Sequence, residues 1–302
     1  MKKSDIRAKI YFLKKRRAMQ GGQKVSNEAF RYVLYCVLLC IFLVAGMHIL
    51  TVKSRFARLG EGTLGFEGFR RQRMDSGMLE HIREAENPGM DLGLYWLENN
   101  FGQEVFPYPC SGEVFVKLQR VWSRKPGWDL YRSACEAVWN DLKYFPIPEP
   151  SNGVRAEVTF EDSWMFERNY GGKRGHEGTD IMASTNERGF YPVVSMTDGV
   201  ILHKGWLEKG GYRIGITAPG GAYFYYAHLD SYADIDEGDA VKAGDLLGFM
   251  GDTGYSKVEG TTGNFPVHLH LGIYLVTEDQ EISVNPYYPL RYVEGRRVQC
   301  AY

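Results

Sequence analysis

The sequence predicts a mainly β protein, in which an antiparallel β-sandwich or barrel-like domain follows a small α-helical module and one N-terminal transmembrane helix. Three observations predict this class. Residues 32–52 are apolar and uncharged, apolar residues recur at helical spacing within residues 75–145, and short β-branched and aromatic runs separated by glycine fill residues 154–274. A chain of 302 residues is long enough for about two domains.

Charge is unevenly distributed along the chain. The whole sequence has a formal net charge of −1, which argues against a general nucleic-acid-binding protein. Residues 1–31 nevertheless hold ten basic and two acidic side chains, a net charge of +8. Because basic residues accumulate on the cytoplasmic side of a membrane span, we interpret residues 1–31 as a basic cytoplasmic segment.

The apolar stretch 32–52 contains 21 residues and no Asp, Glu, Lys or Arg. As a helix it would extend about 30 Å, which is the thickness of a bilayer's hydrocarbon core. A cleaved signal peptide is the alternative, but its apolar region would be shorter and would end in a small-x-small site. Ala45-Gly46 is followed by Met47, which is a poor match to such a site. We therefore predict an uncleaved signal anchor that crosses the cell membrane once, with the rest of the chain outside the cytoplasm.

The next residues predict a linker and then three helices. Residues 53–74 are rich in glycine and arginine and are interpreted as a linker. Within the helical module 75–145, the first helix is expected to end at Asn87-Pro88. A second is expected over 92–100 and a third over 128–144. The module contains no recognisable catalytic pattern.

Three cysteines, Cys110, Cys135 and Cys300, lie outside the apolar stretch. Because three is an odd number, at most one intramolecular disulfide can form among them. The pairing we predict is Cys110–Cys135.

Three prolines in residues 146–153 indicate a stiff, extended connector. The β domain is predicted over residues 154–290, and residues 291–302 are interpreted as a C-terminal tail. Short strands broken by turns are typical of an antiparallel sandwich or barrel. The runs that predict these strands are VRAEVTF, GFYPVVSM, GVILHKG, GYRIGIT, AYFYYAHL, DLLGFMG and HLHLGIYLV.

Four histidines of the β domain fall into three clusters. His176 and Asp180 are four residues apart, a spacing that places both on one face of a strand or a helix. His268 and His270 are two apart and would share one face of a strand. His228 stands alone at the end of an aromatic strand.

Two imidazoles and a carboxylate form a donor set that suits zinc, and three protein ligands with an open position are typical of a catalytic zinc site. Structural zinc sites usually have four protein ligands, often cysteines, but no cysteine lies between Cys135 and Cys300. The pattern therefore favours a catalytic metal site over a structural one.

Five segments of the β domain resemble a known family. The segments GHEGTDIMA, TDGVI, YYAHL, EGDAVKAGDLLGFMGDTGYS and HLHLGIY, within about residues 165–275, resemble in order and spacing the M23 zinc metallopeptidases, the LytM/lysostaphin-type peptidoglycan endopeptidases. The resemblance implies that His176, Asp180 and His270 bind Zn²⁺. It also implies that His228 and His268 are catalytic, and that Tyr170 helps to polarise the scissile carbonyl.

The resemblance further implies a membrane-anchored zinc endopeptidase that hydrolyses peptide crosslinks of bacterial peptidoglycan through a water molecule activated by zinc. A cell-wall or membrane protein partner would dock on residues 75–145. The alternative is a zinc-bound scaffold or an activator of cell-wall hydrolases, including a sporulation channel component. A sugar-phosphotransfer carrier is a third class, but such a carrier would be cytoplasmic and would need no zinc ligand at Asp180.

Overall fold

The computed structural model describes residues 3–277 and 280–302 of the chain. The chain divides into two compact units, Met1–Ala57 and Arg58–Tyr302. Lys2, which belongs to the predicted basic segment, lies outside the described residues.

The first unit is one long helix, α1 (Lys3–Phe56). It contains the whole of the predicted apolar stretch, and its segment Asn27–Phe56 is long and apolar enough to cross a membrane. The apolar side chains of this segment are exposed, as expected for a helix that is not part of a protein core. The prediction of one long apolar N-terminal helix is confirmed.

The second unit begins with helices. They are α2 (Glu67–Arg70), α3 (Ser76–Glu84), α4 (Pro88–Glu98), α5 (Gly112–Trp122) and α6 (Trp128–Trp139). The helical module is confirmed, but the sequence prediction missed α5 and the first turn of α4. Helix α3 ends at Glu84, shortly before Asn87-Pro88, where the sequence predicted the end of the first helix. Asn87-Pro88 also begins α4, because the Asn87 side chain accepts a hydrogen bond from the Met90 amide and Pro88 occupies the first helical turn.

Helix α6 is shorter than predicted, because the chain leaves the helix to bond with the β domain. The amides of Lys143 and Tyr144 donate to the carbonyl of Met196. Leu142 and Phe145 are buried there without being helical.

Residues 58–74 differ from the predicted linker. Phe69 is fully buried, and the amide of Asn285 donates to the carbonyl of Arg70 at 2.7 Å. Leu59 and Leu64 are also buried. Glycine and arginine content suggested a flexible connection, but the apolar residues between them pack against the rest of the unit.

The β domain is built on a ten-stranded antiparallel sheet, so the predicted antiparallel β fold is confirmed. Two short strands, β3 (Glu167–Arg168) and β4 (Arg174–Gly175), form a separate hairpin. The strands of the large sheet are β2 (Val158–Phe160), β5 (Thr179–Ala183), β6 (Pro192–Val194), β7 (Gly199–Leu207), β8 (Gly211–Thr217), β9 (Ala222–Tyr232), β10 (Ala240–Val241), β11 (Leu246–Met250), β12 (His268–Val276) and β13 (Glu281–Val284).

The order of strands across the sheet is β10-β7-β8-β9-β12-β5-β2. In addition, β11 pairs with β6 and β9, and β13 pairs with β12. Strand β12 is therefore central, with β9 on one side and β5 on the other. One face of β12 buries Leu269, Leu271 and Ile273 in the core, and the other face carries His268 and His270.

The C-terminal residues are ordered into two elements. Helix α7 (Tyr287–Val293) spans the predicted boundary between the β domain and the tail. Strand β14 (Gln299–Cys300) pairs in parallel with β1 (Glu149–Pro150), which lies in the proline-containing connector. The segments predicted as a connector and a tail therefore hold each other in place.

The predicted Cys110–Cys135 disulfide is wrong, because both residues are free thiols. Cys135 is fully buried in α6, where it packs against α4 beside Gly93. Cys110 Sγ instead lies 3.9 Å from the sulfur of Met78. Burial raises the pKa of the Cys135 thiol well above its usual value, so this cysteine remains a protonated core residue.

Helices α4 and α6 approach closely at Gly89. A Cβ atom at this position would lie 2.5 Å from Glu136 Cα and 2.6 Å from the Cys135 carbonyl oxygen. Since both are backbone atoms, a side chain at position 89 would force the two helices apart.

We expect Gly89→Ala to lower the free energy of unfolding of the second unit by about 1–3 kcal/mol. Gly112→Ala in α5 is the matched control, because no atom lies within 4 Å of its added Cβ. Helix propensity should make that control neutral or slightly stabilising. Denaturant unfolding of the full chain, followed by tryptophan fluorescence, measures both. Equal stabilities of the two variants would contradict the close contact.

Candidate metal centre

Two neighbouring strands and the segment before one of them bring the three predicted metal ligands together. In the antiparallel pair of β5 and β12, Asp180 lies directly opposite His270. His176 follows the short strand β4 and precedes β5, four residues before Asp180. Side chains of opposed residues project from the same face of a sheet, so Asp180 and His270 point to one side.

The three ligand atoms face one another at nearly equal distances. His176 Nε2 lies 3.0 Å from His270 Nδ1 and 3.1 Å from Asp180 Oδ1, and His270 Nδ1 lies 3.0 Å from Asp180 Oδ1. A tetrahedral zinc ion with bonds of about 2.0–2.1 Å needs ligand atoms roughly 3.3 Å apart. The arrangement therefore fits one face of a zinc tetrahedron after a shift of a few tenths of an ångström.

Hydrogen bonds around the group favour the tautomer that binds a metal. His176 is 2 % exposed, and its Nδ1 lies 3.3 Å from the carbonyl oxygen of Ser163. A carbonyl oxygen only accepts, so the proton belongs on Nδ1 and the lone pair of Nε2 points at the other ligands. The sequence gave no signal for Ser163, because a backbone acceptor leaves no pattern of residue types.

Arg168 holds the outer oxygen of Asp180. Its Nη2 donates to Asp180 Oδ2 at 2.5 Å, which leaves Oδ1 directed at the two imidazoles. The same Nη2 lies 3.1 Å from His176 Nδ1, but it can donate there only to the tautomer that does not bind a metal through Nε2. Sequence reasoning missed Arg168, which the β3–β4 hairpin carries back to the site from eight positions before His176.

Electrostatics keep the donor set in its binding form. Burial alone would raise the pKa of Asp180, but hydrogen bonds with His176 and His270 and the neighbouring histidine charges outweigh burial and hold that pKa well below its usual range. Burial lowers the pKa of His270, although Asp180 opposes the shift. Asp180 is therefore a carboxylate and His270 a neutral imidazole at neutral pH.

His228 and His268 lie beside the three ligands, and a backbone carbonyl contacts Nδ1 of each. Their rings are 4.7 Å apart, and the His228 ring is 6.0 Å from that of His270. His228 Nδ1 lies 2.7 Å from the carbonyl oxygen of Thr253, and His268 Nδ1 lies 2.7 Å from that of Pro266. Each carbonyl holds a proton on Nδ1, so a neutral ring here has its free lone pair on Nε2.

His228 adopts a strained backbone conformation, with φ of 64° in the middle of β9. Such a conformation is uncommon for a residue other than glycine and is often found at functional sites. The pairing of β9 with β8 shifts register beside His228. Burial, together with the charges of His268 and His270, holds the pKa of His228 well below its usual value, so this imidazole stays neutral.

Tyr170, which the resemblance implies is catalytic, packs against a second tyrosine. Its ring stacks on Tyr255 at 4.5 Å and 3°, and its hydroxyl is 3.5 Å from a carboxylate oxygen of Glu208. Tyr255 in turn meets the His228 ring edge-on at 5.8 Å. Tyr255 is thus the tyrosine ring that contacts a predicted catalytic histidine, and its sequence position gave no sign of this.

The five histidine and aspartate residues open into a cleft of about 660 Å³. Its floor is formed by three tyrosines, Tyr223, Tyr225 and Tyr274, on β9 and β12. Tyr223 and Tyr274 cover neighbouring glycines, because a Cβ atom at Gly215 or Gly272 would overlap their rings. Burial raises the pKa of Tyr223 to about 12, so its hydroxyl is neutral under ordinary conditions.

Comparison with known proteins agrees with this fold. The model of the LytM N-terminal domain matches residues 54–141, and the model of peptidase family M23 matches residues 174–286. A crystal structure of a LytM protein from Ruminococcus gnavus, to which glycyl-glycine endopeptidase activity is ascribed, is 59% identical with a TM-score of 0.78. The match covers 82% of this chain and 98% of that one.

Two curated relatives match over shorter stretches. The L-Ala–D-Glu endopeptidase of Bacillus subtilis is 40% identical over 148 residues, which is 49% of this chain and 42% of the relative. The glycyl-glycine endopeptidase ALE-1 of Staphylococcus capitis is 33% identical over 113 residues, which is 33% of this chain and 30% of the relative. The chain thus spans less than half the length of these two relatives.

The fold and the site together define a zinc metallopeptidase domain preceded by a helical module. The chain belongs to peptidase family M23 and carries the LytM N-terminal domain.

Gly178, between His176 and Asp180, leaves the space that His270 occupies. A Cβ atom at position 178 would overlap Cε1 of the His270 ring and lie 2.6 Å from its Nε2. A side chain there would therefore displace this imidazole from the other two ligands.

We expect Gly178→Ala to weaken zinc binding by about 10–100-fold, the cost typical of disturbing the support of a metal ligand. Competition with a chromophoric zinc chelator measures the affinity. Gly62→Ala is the control, because its added Cβ has no neighbour within 4 Å. Unchanged affinity in Gly178→Ala would show that His270 does not bind the metal in the position described.

Proposed function

We propose that this protein is a zinc-dependent endopeptidase that hydrolyses peptide crosslinks of bacterial peptidoglycan. The observation that carries the proposal is the convergence of His176, Asp180 and His270 at one end of a cleft, with two further imidazoles beside them. The names of the two curated relatives, an L-Ala–D-Glu and a glycyl-glycine endopeptidase, support a peptide substrate of the cell wall.

His176, Asp180 and His270 would hold Zn²⁺. The two histidines would each supply an imidazole nitrogen, and Asp180 would supply a carboxylate oxygen. Zinc at this place supplies a Lewis acid that polarises a carbonyl group and lowers the pKa of water. Two neutral imidazoles and one carboxylate leave the site a net charge of +1, which preserves that acidity.

His228 and His268 perform the proton transfers in this proposal. In its neutral form each imidazole presents an unprotonated Nε2, because a backbone carbonyl holds the proton on Nδ1. One imidazole accepts the proton of the attacking water, and the proton passes to the leaving amine when the peptide bond breaks. Because the two residues have the same hydrogen-bonding arrangement, either Nε2 has the chemistry for this role. Tyr170 stacks on Tyr255, which contacts the His228 ring, and in this proposal Tyr170 helps to polarise the scissile carbonyl.

The remaining segments take their roles from this activity. Residues 32–52 anchor the chain in the cell membrane, the basic residues 1–31 stay in the cytoplasm, and the peptidase domain over 154–290 faces the cell wall. The helical module over 75–145 docks a cell-wall or membrane protein partner. These assignments agree with the apolar character of α1 and with a substrate that lies outside the membrane.

Peptidoglycan digestion by the full-length chain tests the activity. The zinc-loaded protein should release new amino termini from purified peptidoglycan, and a chelator should abolish the release because it removes the metal. His176→Ala should lose both zinc and activity. His228→Gln should keep zinc but lose about 10²–10⁴-fold in rate, since only a proton-transfer group is removed. Amine labelling with mass spectrometry measures the products.

His81→Gln is the control, because His81 lies in α3 and pairs with Asp91 in the helical module. Its rate should equal that of the unchanged protein. Zinc binding without any new amino terminus would contradict the peptidase and favour a zinc-bound scaffold or activator of other hydrolases. Release that persists in chelator would contradict the metal's role.

Membrane anchoring is tested by fractionation of bacterial cells that express the chain. We expect the full-length protein to stay in the membrane pellet after alkaline extraction, because α1 buries about 21 apolar residues in the bilayer. Protease added from outside should remove a C-terminal epitope tag and leave an N-terminal one intact. A shortened, soluble product would instead identify residues 32–52 as part of a cleaved signal peptide.

A further inference from the structure

The cleft continues from the metal ligands across the sheet toward an arginine. Asp180, His270 and Ala227 lie opposite one another on β5, β12 and β9. On the next strand, β8, Arg213 lies at the register shift beside that row. Since neighbouring strands are about 4.8 Å apart, the Arg213 backbone is roughly 10 Å from that of His270. This distance is about three residues of an extended peptide.

Arg213 carries a guanidinium group in which one nitrogen lacks a hydrogen-bond partner among the described residues. This nitrogen, Nη1, is buried. The positive charge of Arg213 opposes the rise in pKa that burial causes at Tyr223 and Tyr225, so the guanidinium lies close to the tyrosine floor. The side chain also lines the cleft.

A second arginine reaches the floor from the β3–β4 hairpin. Arg174 lines the same cleft, and its buried Nε likewise has no hydrogen-bond partner among the described residues. Its charge opposes the rise in pKa that burial causes at Tyr274. The two guanidinium groups thus lie near different tyrosines of one floor. Lys209 adds a third cation to the lining.

The acidic side chains of the cleft form no ion pair with Arg213, Arg174 or Lys209 among the described residues. Asp180 is bound by Arg168, and Glu177 forms an ion pair with Arg70 at 2.6 Å. Glu281 is exposed on β13, and its charge raises the pKa of Tyr223 and Tyr274. Glu281 makes no ion pair with a described arginine. The cleft lining away from the metal ligands therefore has excess positive charge, from Arg174, Lys209 and Arg213 against Glu281.

We propose that Arg213 and Arg174 form a carboxylate-binding subsite, which selects substrate peptides that carry a free carboxylate near the scissile bond. The guanidinium fork binds a carboxylate through two parallel hydrogen bonds, and the neutral tyrosine floor supports the peptide chain. Neutral oligoglycine offers no such group. The inference rests on the proposed function and specifies its substrate class as acidic stem peptides, such as those with γ-linked D-glutamate.

Two matched peptides test this subsite with the zinc-loaded full-length chain. Both contain an L-Ala–γ-D-Glu bond, and one has the α-carboxylate of D-Glu converted to an amide. The unchanged protein should cleave the acidic peptide with a kcat/KM about tenfold or more above that of the amide. Arg213→Gln should remove most of this preference by slowing cleavage of the acidic peptide alone. Lys173→Met is the control, because Lys173 is an exposed cation next to Arg174 that pairs with Glu167 outside the cleft.

Binding of the same two peptides, measured by calorimetry after zinc removal, keeps the test independent of turnover. The acidic peptide should bind more tightly to the unchanged protein and lose that advantage in Arg213→Gln and Arg174→Gln. Equal affinities for the two peptides, or a preference that survives both substitutions, would overturn the subsite. If the unchanged protein binds the acidic peptide preferentially but cleaves neither, the subsite stands and the proposed activity fails. If it cleaves both peptides equally, the activity stands and the subsite fails.

Discussion

The site depends on the register between β5 and β12, which places Asp180 opposite His270. A shift of one residue would turn His268 and His270 into the core and Leu269 and Leu271 into the cleft. The burial of those leucines therefore fixes the metal-binding geometry, because hydrophobic packing on one face decides which residues meet on the other. The metal-binding residues are therefore held in place by the hydrophobic core on the other face of the sheet.

Backbone carbonyls orient the histidine rings that the strands bring together. Thr253 and Pro266 each present a carbonyl oxygen to an Nδ1 atom, so neutral His228 and His268 have a defined tautomer before any substrate enters. The Ser163 carbonyl favours the same tautomer at His176. Burial keeps His228 and His270 neutral, while the histidine contacts keep Asp180 ionised. Metal binding and proton transfer need this combination, and neither needs a rearrangement of the chain to obtain it.

The sequence predicted the elements that are determined by residues close together in the chain. The apolar stretch, the helical module and the antiparallel β domain followed from spacing and residue type, whereas the grouping of His176, Asp180 and His270 was implied by the family resemblance. Contacts between distant segments were missed. Phe69, in the segment predicted as a linker, is buried in the core, Arg168 returns to the ligands through a hairpin, and Tyr255 contacts His228. Each depends on tertiary packing, which periodicity does not encode.

X-ray absorption spectroscopy at the zinc edge of the full-length, zinc-loaded protein tests the central claim most directly. We predict one zinc ion per chain, with nitrogen and oxygen ligands at about 2.0–2.2 Å, and in His270→Ala the loss of the zinc or of one imidazole from its spectrum. A sulfur ligand at about 2.3 Å, or a spectrum unchanged by that substitution, would contradict the account.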